Sequence, residues 1–180
     1  MSHLRFLRCA LIRFISHGLV CAGFLLFSPA ARSTDSPDEA FLDALQGPWL
    51  MAGSLAGKPV KYHADGQRVL QGGFLELHMI DTASPSQYEA EVFVGFDTKA
   101  HDYVAHWLDR FGAAGARVVA QGKRIGERLV ITFPYADSPF RDTFTWRPAT
   151  ESWNLLLESQ AANGTWSTFA SYTLTRDTQR

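Results

Sequence analysis

From Trp49 to Thr175 apolar and polar side chains alternate with a period of two, and turn-forming residues break the alternation about every ten positions. That is the spacing of an all-β barrel or sandwich, and no helix of any length is visible in this stretch. The pattern predicts an all-β, antiparallel barrel. Gly47-Pro48-Trp49 opens the run and Tyr172-Thr173-Leu174-Thr175-Arg176 closes it. Nine strands are expected: Trp49 to Ser54, Phe74 to Ile80, Tyr88 to Phe96, Tyr103 to Asp109, Arg117 to Gln121, Arg128 to Phe133, Arg141 to Arg147, Ser152 to Glu158 and Trp166 to Thr175. Val60 to His63 is a candidate tenth. Asn163-Gly164 gives the strongest hairpin signal, since both residues tolerate the positive φ of a type I′ turn.

Parity assigns the faces. In Tyr88 to Phe96 the apolar Ala90, Val92, Val94 and Phe96 alternate with Glu89 and Glu91, so the even positions point inward. By the same logic Leu75, Leu77 and Met79, then Leu129, Ile131 and Phe133, then Trp153, Leu155 and Leu157 face the interior. Phe140, Phe144 and Trp146 share a face with Asp142. A carboxylate among aromatic rings is costly unless paired, so Asp142 is expected either to meet a buried partner or to lie at the barrel rim, the rim being the simpler reading. Around His106 parity gives no answer, because Val104, His106 and Leu108 on one face are balanced by Tyr103, Ala105 and Trp107 on the other.

Ahead of the barrel the sequence spells a short helix. Ser36 is its N-cap, Pro37 its first residue, Glu39 completes a capping box, and Gly47 lies beyond its end. Phe41, Leu42 and Leu45 form its apolar stripe. Too short to persist alone, it must dock that stripe on the barrel, as a cover for one mouth or as a brace. Further upstream, Arg5, Arg8 and Arg13 precede an apolar stretch from Gly18 to Phe27 and the small residues Ser28 to Ser33, the order of a secretory signal peptide. The stretch falls well short of the ~20 residues of a membrane span, which argues against a permanent anchor. Bulky Val20 before Cys21, and the apolar run after it, are the reverse of a lipid-attachment site. The expected organisation is a cleaved presequence over residues 1–33, a helix over 34–47, a barrel over 48–176 and a tail over 177–180, with a periplasmic or secreted destination.

Removal of the first 33 residues, which hold four arginines and no acid, changes the net charge from −1 to −5. A mildly acidic chain without a Lys/Arg run is a poor match for nucleic acid. Both cysteines, Cys9 and Cys21, leave with the presequence, so the mature domain has neither a disulfide nor a thiol nucleophile. No Gly-x-Ser-x-Gly elbow, His-Glu-x-x-His pair or phosphate-binding glycine loop is present. His101 and His106 are five residues apart, on opposite faces of a regular strand, and make a poor metal pair; no metal or cofactor is implied.

Gly47-x-Trp49 in the first strand and Arg176 at the end of the last resemble the calycin pattern of lipocalins and their relatives, in which the tryptophan packs under the closing arginine. Within that group, Gly95-Phe96-Asp97-Thr98-Lys99 followed by Tyr103-Val104-x-x-Trp107-Leu108-Asp109 is similar to the bacterial family known as domain of unknown function 1579, over about residues 45 to 176. The resemblance implies a barrel closed at one end by Trp49 and Arg176. It implies no settled activity. Nitrobindin-like haem barrels share the architecture but use a histidine near the C-terminal strands, and none follows His106 here.

The reading that follows is an exported barrel that binds a small apolar or amphipathic ligand, with Val92, Val94, Phe96, His106, Phe133, Phe144, Trp146, Trp153 and Leu155 around it. An enzyme with His106 as general base and Asp142 or Asp109 as its partner is the alternative. A fully packed barrel acting as a structural or interaction module is the third.

Overall fold

The computed structural model describes residues 36–180. Residues 1–33, expected from the sequence to be a presequence, and with them both cysteines, lie outside the described residues. Ten strands follow one short helix: α1 (Pro37–Asp43), then β1 (Gly47–Leu55), β2 (Lys58–Val69), β3 (Phe74–Asp81), β4 (Glu89–Asp97), β5 (Asp102–Asp109), β6 (Val119–Ile125), β7 (Arg128–Phe133), β8 (Phe140–Arg147), β9 (Ser152–Gln160) and β10 (Trp166–Arg176). Each strand pairs antiparallel with its neighbours in sequence, and β1 also pairs with β10, closing the barrel. Closure leaves no unpaired edge.

Most inward positions are those that alternation marks. Leu75, Leu77, Met79, Ala90, Val92, Val94, Leu129, Ile131, Phe133, Phe144, Trp153, Leu155 and Leu157 are all buried. Phe96 is only half-buried, its ring centroid 5.1 Å from that of Tyr103. Three local expectations change. The candidate tenth strand is real and much longer than Val60 to His63, because its inward residues Ala64 and Gly66 are small rather than visibly apolar. The sixth strand begins two residues later than expected, since Gly115–Arg117 forms a 3₁₀ turn, and runs on to Ile125. Gly164 alone of the Asn163-Gly164 pair has positive φ, at 82°, so the turn is not type I′. A five-residue loop joins β9 to β10 instead, with Ala161 N–H donating to the Thr165 carbonyl and Gly164 N–H to the Ala161 carbonyl.

One end of the barrel is plugged. The capping box of α1 forms as the sequence dictates, Ser36 Oγ accepting from Glu39 N–H and Glu39 Oε2 from Ser36 N–H. Phe41 meets Trp153 edge to face at 5.1 Å, and Leu42 is fully buried. The carbonyls of the cap residue Ala44 and of Leu45 and Gln46 just beyond the helix accept from the barrel: Leu45 from Trp49 Nε1 at 2.7 Å, Ala44 from Trp153 Nε1 at 3.3 Å, and Gln46 from the Arg176 guanidinium. Arg68 and Arg124 reach up from the rim to Asp43 and Asp38 at 2.8 and 2.7 Å. The Arg176 guanidinium carbon lies 3.7 Å from the Trp49 ring centroid, and the two residues are paired in register.

Gly66 makes this docking possible, since a Cβ there would stand 2.0 Å from the Leu45 carbonyl oxygen. Gly66→Ala is expected to cost about 1 to 3 kcal/mol, typical of forced overpacking. Hydrogen exchange should localise the loss to α1 and the adjoining part of β2, and a uniform loss of protection would refute the assignment.

Candidate functional site

At the end away from α1 the interior is hollow. A cavity of about 360 Å³ is lined by fifteen residues, of which nine are aromatic. Strand faces supply Met51 and Leu55 from β1, Tyr62 from β2, Met79 from β3, Trp107 and Asp109 from β5, Phe133 from β7, Phe140 and Asp142 from β8, Leu157 from β9 and Tyr172 from β10. Tyr88, Phe111 and Tyr135 come from connecting segments. Phe111 and Phe169 are exposed, so the cavity opens to solvent between aromatic lips. Phe169 belongs to this lining because β10 shifts register against β9 between Thr168 and Ala170, a bulge that breaks the alternation and re-aims the extra side chain.

The polar groups of the cavity fall into two sets. Trp107 Nε1 donates to the Tyr88 hydroxyl at 3.3 Å, and that hydroxyl lies 3.5 Å from Asp109 Oδ2. Asp109 Oδ1 also accepts from the Phe111 N–H at 2.9 Å, tying the lip to the strand end. Asp142 stands apart. It is 3% exposed, flanked across the ladders by Ile131 and Leu157, and among the described residues nothing donates a hydrogen bond to it. Burial pushes its carboxyl up to about 8, so at neutral pH it is mainly the uncharged acid. Burial likewise raises the phenols of Tyr62, Tyr88, Tyr135 and Tyr172, which stay protonated across the physiological range.

Both positions expected for Asp142 are therefore corrected. It is neither at the rim nor paired; its carboxyl faces the cavity. Of the residues expected around a ligand, Phe133 lines the cavity. Val92, Val94, Phe144, Trp153 and Leu155 fill the core without lining it, and Trp146 packs on Trp153 at 5.1 Å. His106 is on the outer face of β5, where its Nε2 lies 2.7 Å from the Ala116 carbonyl oxygen. The structure thus brings Asp109 and Asp142 to one cavity and leaves His106 out of it. Trp49 and Arg176 meet at the plugged end.

Several lining residues had a readable signal. Tyr172 shares parity with Ala170 and Leu174, and Tyr62 with Ala64. The loop residues Phe111 and Tyr135 had none.

In comparisons with known proteins, no family model matches this chain and no curated protein matches it. The architecture itself, a closed antiparallel barrel of ten strands with one short helix, fits a calycin-like fold in general.

Proposed function

We propose that this protein binds a small apolar or amphipathic molecule in the open mouth of its barrel, after export to the periplasm or the cell exterior. The observation that carries the reading is the aromatic-lined cavity in a barrel whose opposite end is plugged. A barrel fold is compatible with such binding, and hollow barrels of this size hold one small ligand. The order of charged, apolar and small residues before Ser33 supports export. Membership of the domain of unknown function 1579 family is likewise a proposal, supported by the Gly95-to-Asp109 motif.

A packed module is disfavoured by the cavity, and the enzyme reading through His106 by that residue's outward position. Calorimetric titration with 1-naphthalenemethanol, a neutral apolar probe, should give one site per chain. Leu157→Trp, which fills the cavity from β9, should weaken binding at least about tenfold, without loss of the folded state. Absence of saturable binding to the wild-type protein, or binding indifferent to Leu157→Trp, would overturn the proposal.

A further inference from the structure

Carboxyl groups in an apolar cavity bias it toward one sign of ligand. Asp109 and Asp142 both line this cavity, and among the described residues no Lys, Arg or His does. Nine aromatic side chains line the same space, and the negative face of a π-system favours a cation. An anionic amphiphile such as a fatty acid would enter with no positive group to meet it and two acids nearby. We propose that the mouth cavity selects organic cations, an aryl or alkyl amine, with the Asp142 carboxylate as counter-ion and the surrounding aromatic rings as cage. The inference rests on the reading of the cavity as a ligand site.

Asp142 is the natural anchor because its carboxyl is buried, unpartnered and aimed into the space the ligand would fill. Asp109 is already engaged by the Tyr88 hydroxyl and the Phe111 N–H. The other groups facing the Asp142 side of the cavity are neutral or apolar. They are the phenols of Tyr135 before β8, Tyr172 on β10, Tyr62 on β2 and Tyr88 before β4, with Ile131 and Leu157 on the flanking strands. In the empty cavity Asp142 carries a proton, since burial without a donor disfavours its charge. Entry of an ammonium group reverses that balance: the carboxyl releases its proton to solvent, and the ion pair forms with charge-assisted hydrogen bonds. Well below pH 8 binding of a cation is therefore coupled to release of one proton, and near pH 8 to release of about half a proton; affinity rises with pH until the empty site is itself ionised, and falls once the amine loses its charge.

Three probes with one ring system separate the possibilities: 1-naphthylmethylamine, 1-naphthalenemethanol and 1-naphthoate, each titrated calorimetrically into the full protein at pH 6 and pH 8. The amine should bind at least about tenfold more tightly than the alcohol at pH 8, with a smaller margin at pH 6, and the carboxylate should bind most weakly. Repeating the amine titration in buffers of different ionisation enthalpy should reveal the released proton. Asp142→Asn should bring amine and alcohol to within about twofold of each other. Equal binding of amine and alcohol to the wild-type protein, or an amine preference that survives in Asp142→Asn, would overturn the cation proposal while leaving the ligand-site reading intact. Failure of all three probes to bind would overturn both. The wild-type pH comparison and buffer series decide the matter without the variant.

Discussion

Asp142→Asn is expected to stabilise this protein, by little at pH 4 and by about 3 to 5 kcal/mol at pH 8. The unfolded chain loses the Asp142 proton near the ordinary carboxyl value, whereas the folded protein holds it to about pH 8. Between those values the native state binds one more proton than the unfolded state, so wild-type stability falls as pH rises through that window. Below it both states are protonated and the penalty vanishes. Asparagine keeps the shape and polarity but has no proton to lose, so the difference between variant and wild type isolates this one group. Contributions from Asp97 and Asp177, whose carboxyls are held below the usual range by backbone N–H donors, cancel in the comparison. Urea denaturation of both proteins at half-unit steps from pH 4 to pH 8 measures it, and parallel curves would show that Asp142 titrates normally. A side chain that weakens the empty fold is consistent with one kept for what it does inside the cavity.

Truncating Trp49 to Ala should cost about 3 to 5 kcal/mol, the usual range for a fully buried tryptophan. More than ring volume is lost. The indole N–H satisfies the Leu45 carbonyl just beyond α1, and its face carries the Arg176 guanidinium. Arg176→Ala should cost about 1 to 3 kcal/mol, from the cation–π contact and the hydrogen bonds to the Gln46 and Ala44 carbonyls. Because the two side chains touch, the effects should not add; a double-mutant cycle in urea should return a coupling of about 0.5 to 2 kcal/mol. Additive losses would mean that the arginine stabilises only through the helix carbonyls.

The barrel was legible because burial on one face of each strand imposes a strict alternation, and because Trp49 and Arg176 stand at the two ends of the run. The helix was legible for a different reason: Ser36, Pro37 and Glu39 specify its first turn through local hydrogen bonds alone. What parity could not supply is the position of an inward residue along the barrel axis. Val94, Phe144 and Leu155 point inward as surely as Phe133, yet they fill the core and Phe133 borders the cavity. On β5 the tie between faces is broken by tertiary packing, which buries Tyr103 and Ala105 and turns His106 outward. Phe169 was hidden by its bulge, and β2 by the small residues that let α1 approach. Asp142 was visible as an anomaly among aromatics, but the usual rule that a buried carboxylate finds a partner pointed to the rim rather than to an empty space.

The position of a bound neutral probe tests the account most directly. With methyl-labelled protein saturated with 1-naphthalenemethanol, intermolecular nuclear Overhauser effects should connect the ring protons to the methyl groups of Met51, Met79 and Leu157 at the mouth. The methyl groups of Val94 and Leu129 should show none. Contacts confined to Val94 and Leu129, or to the exposed side chains of Leu70 and Ile125, would contradict a ligand cavity at this end of the barrel.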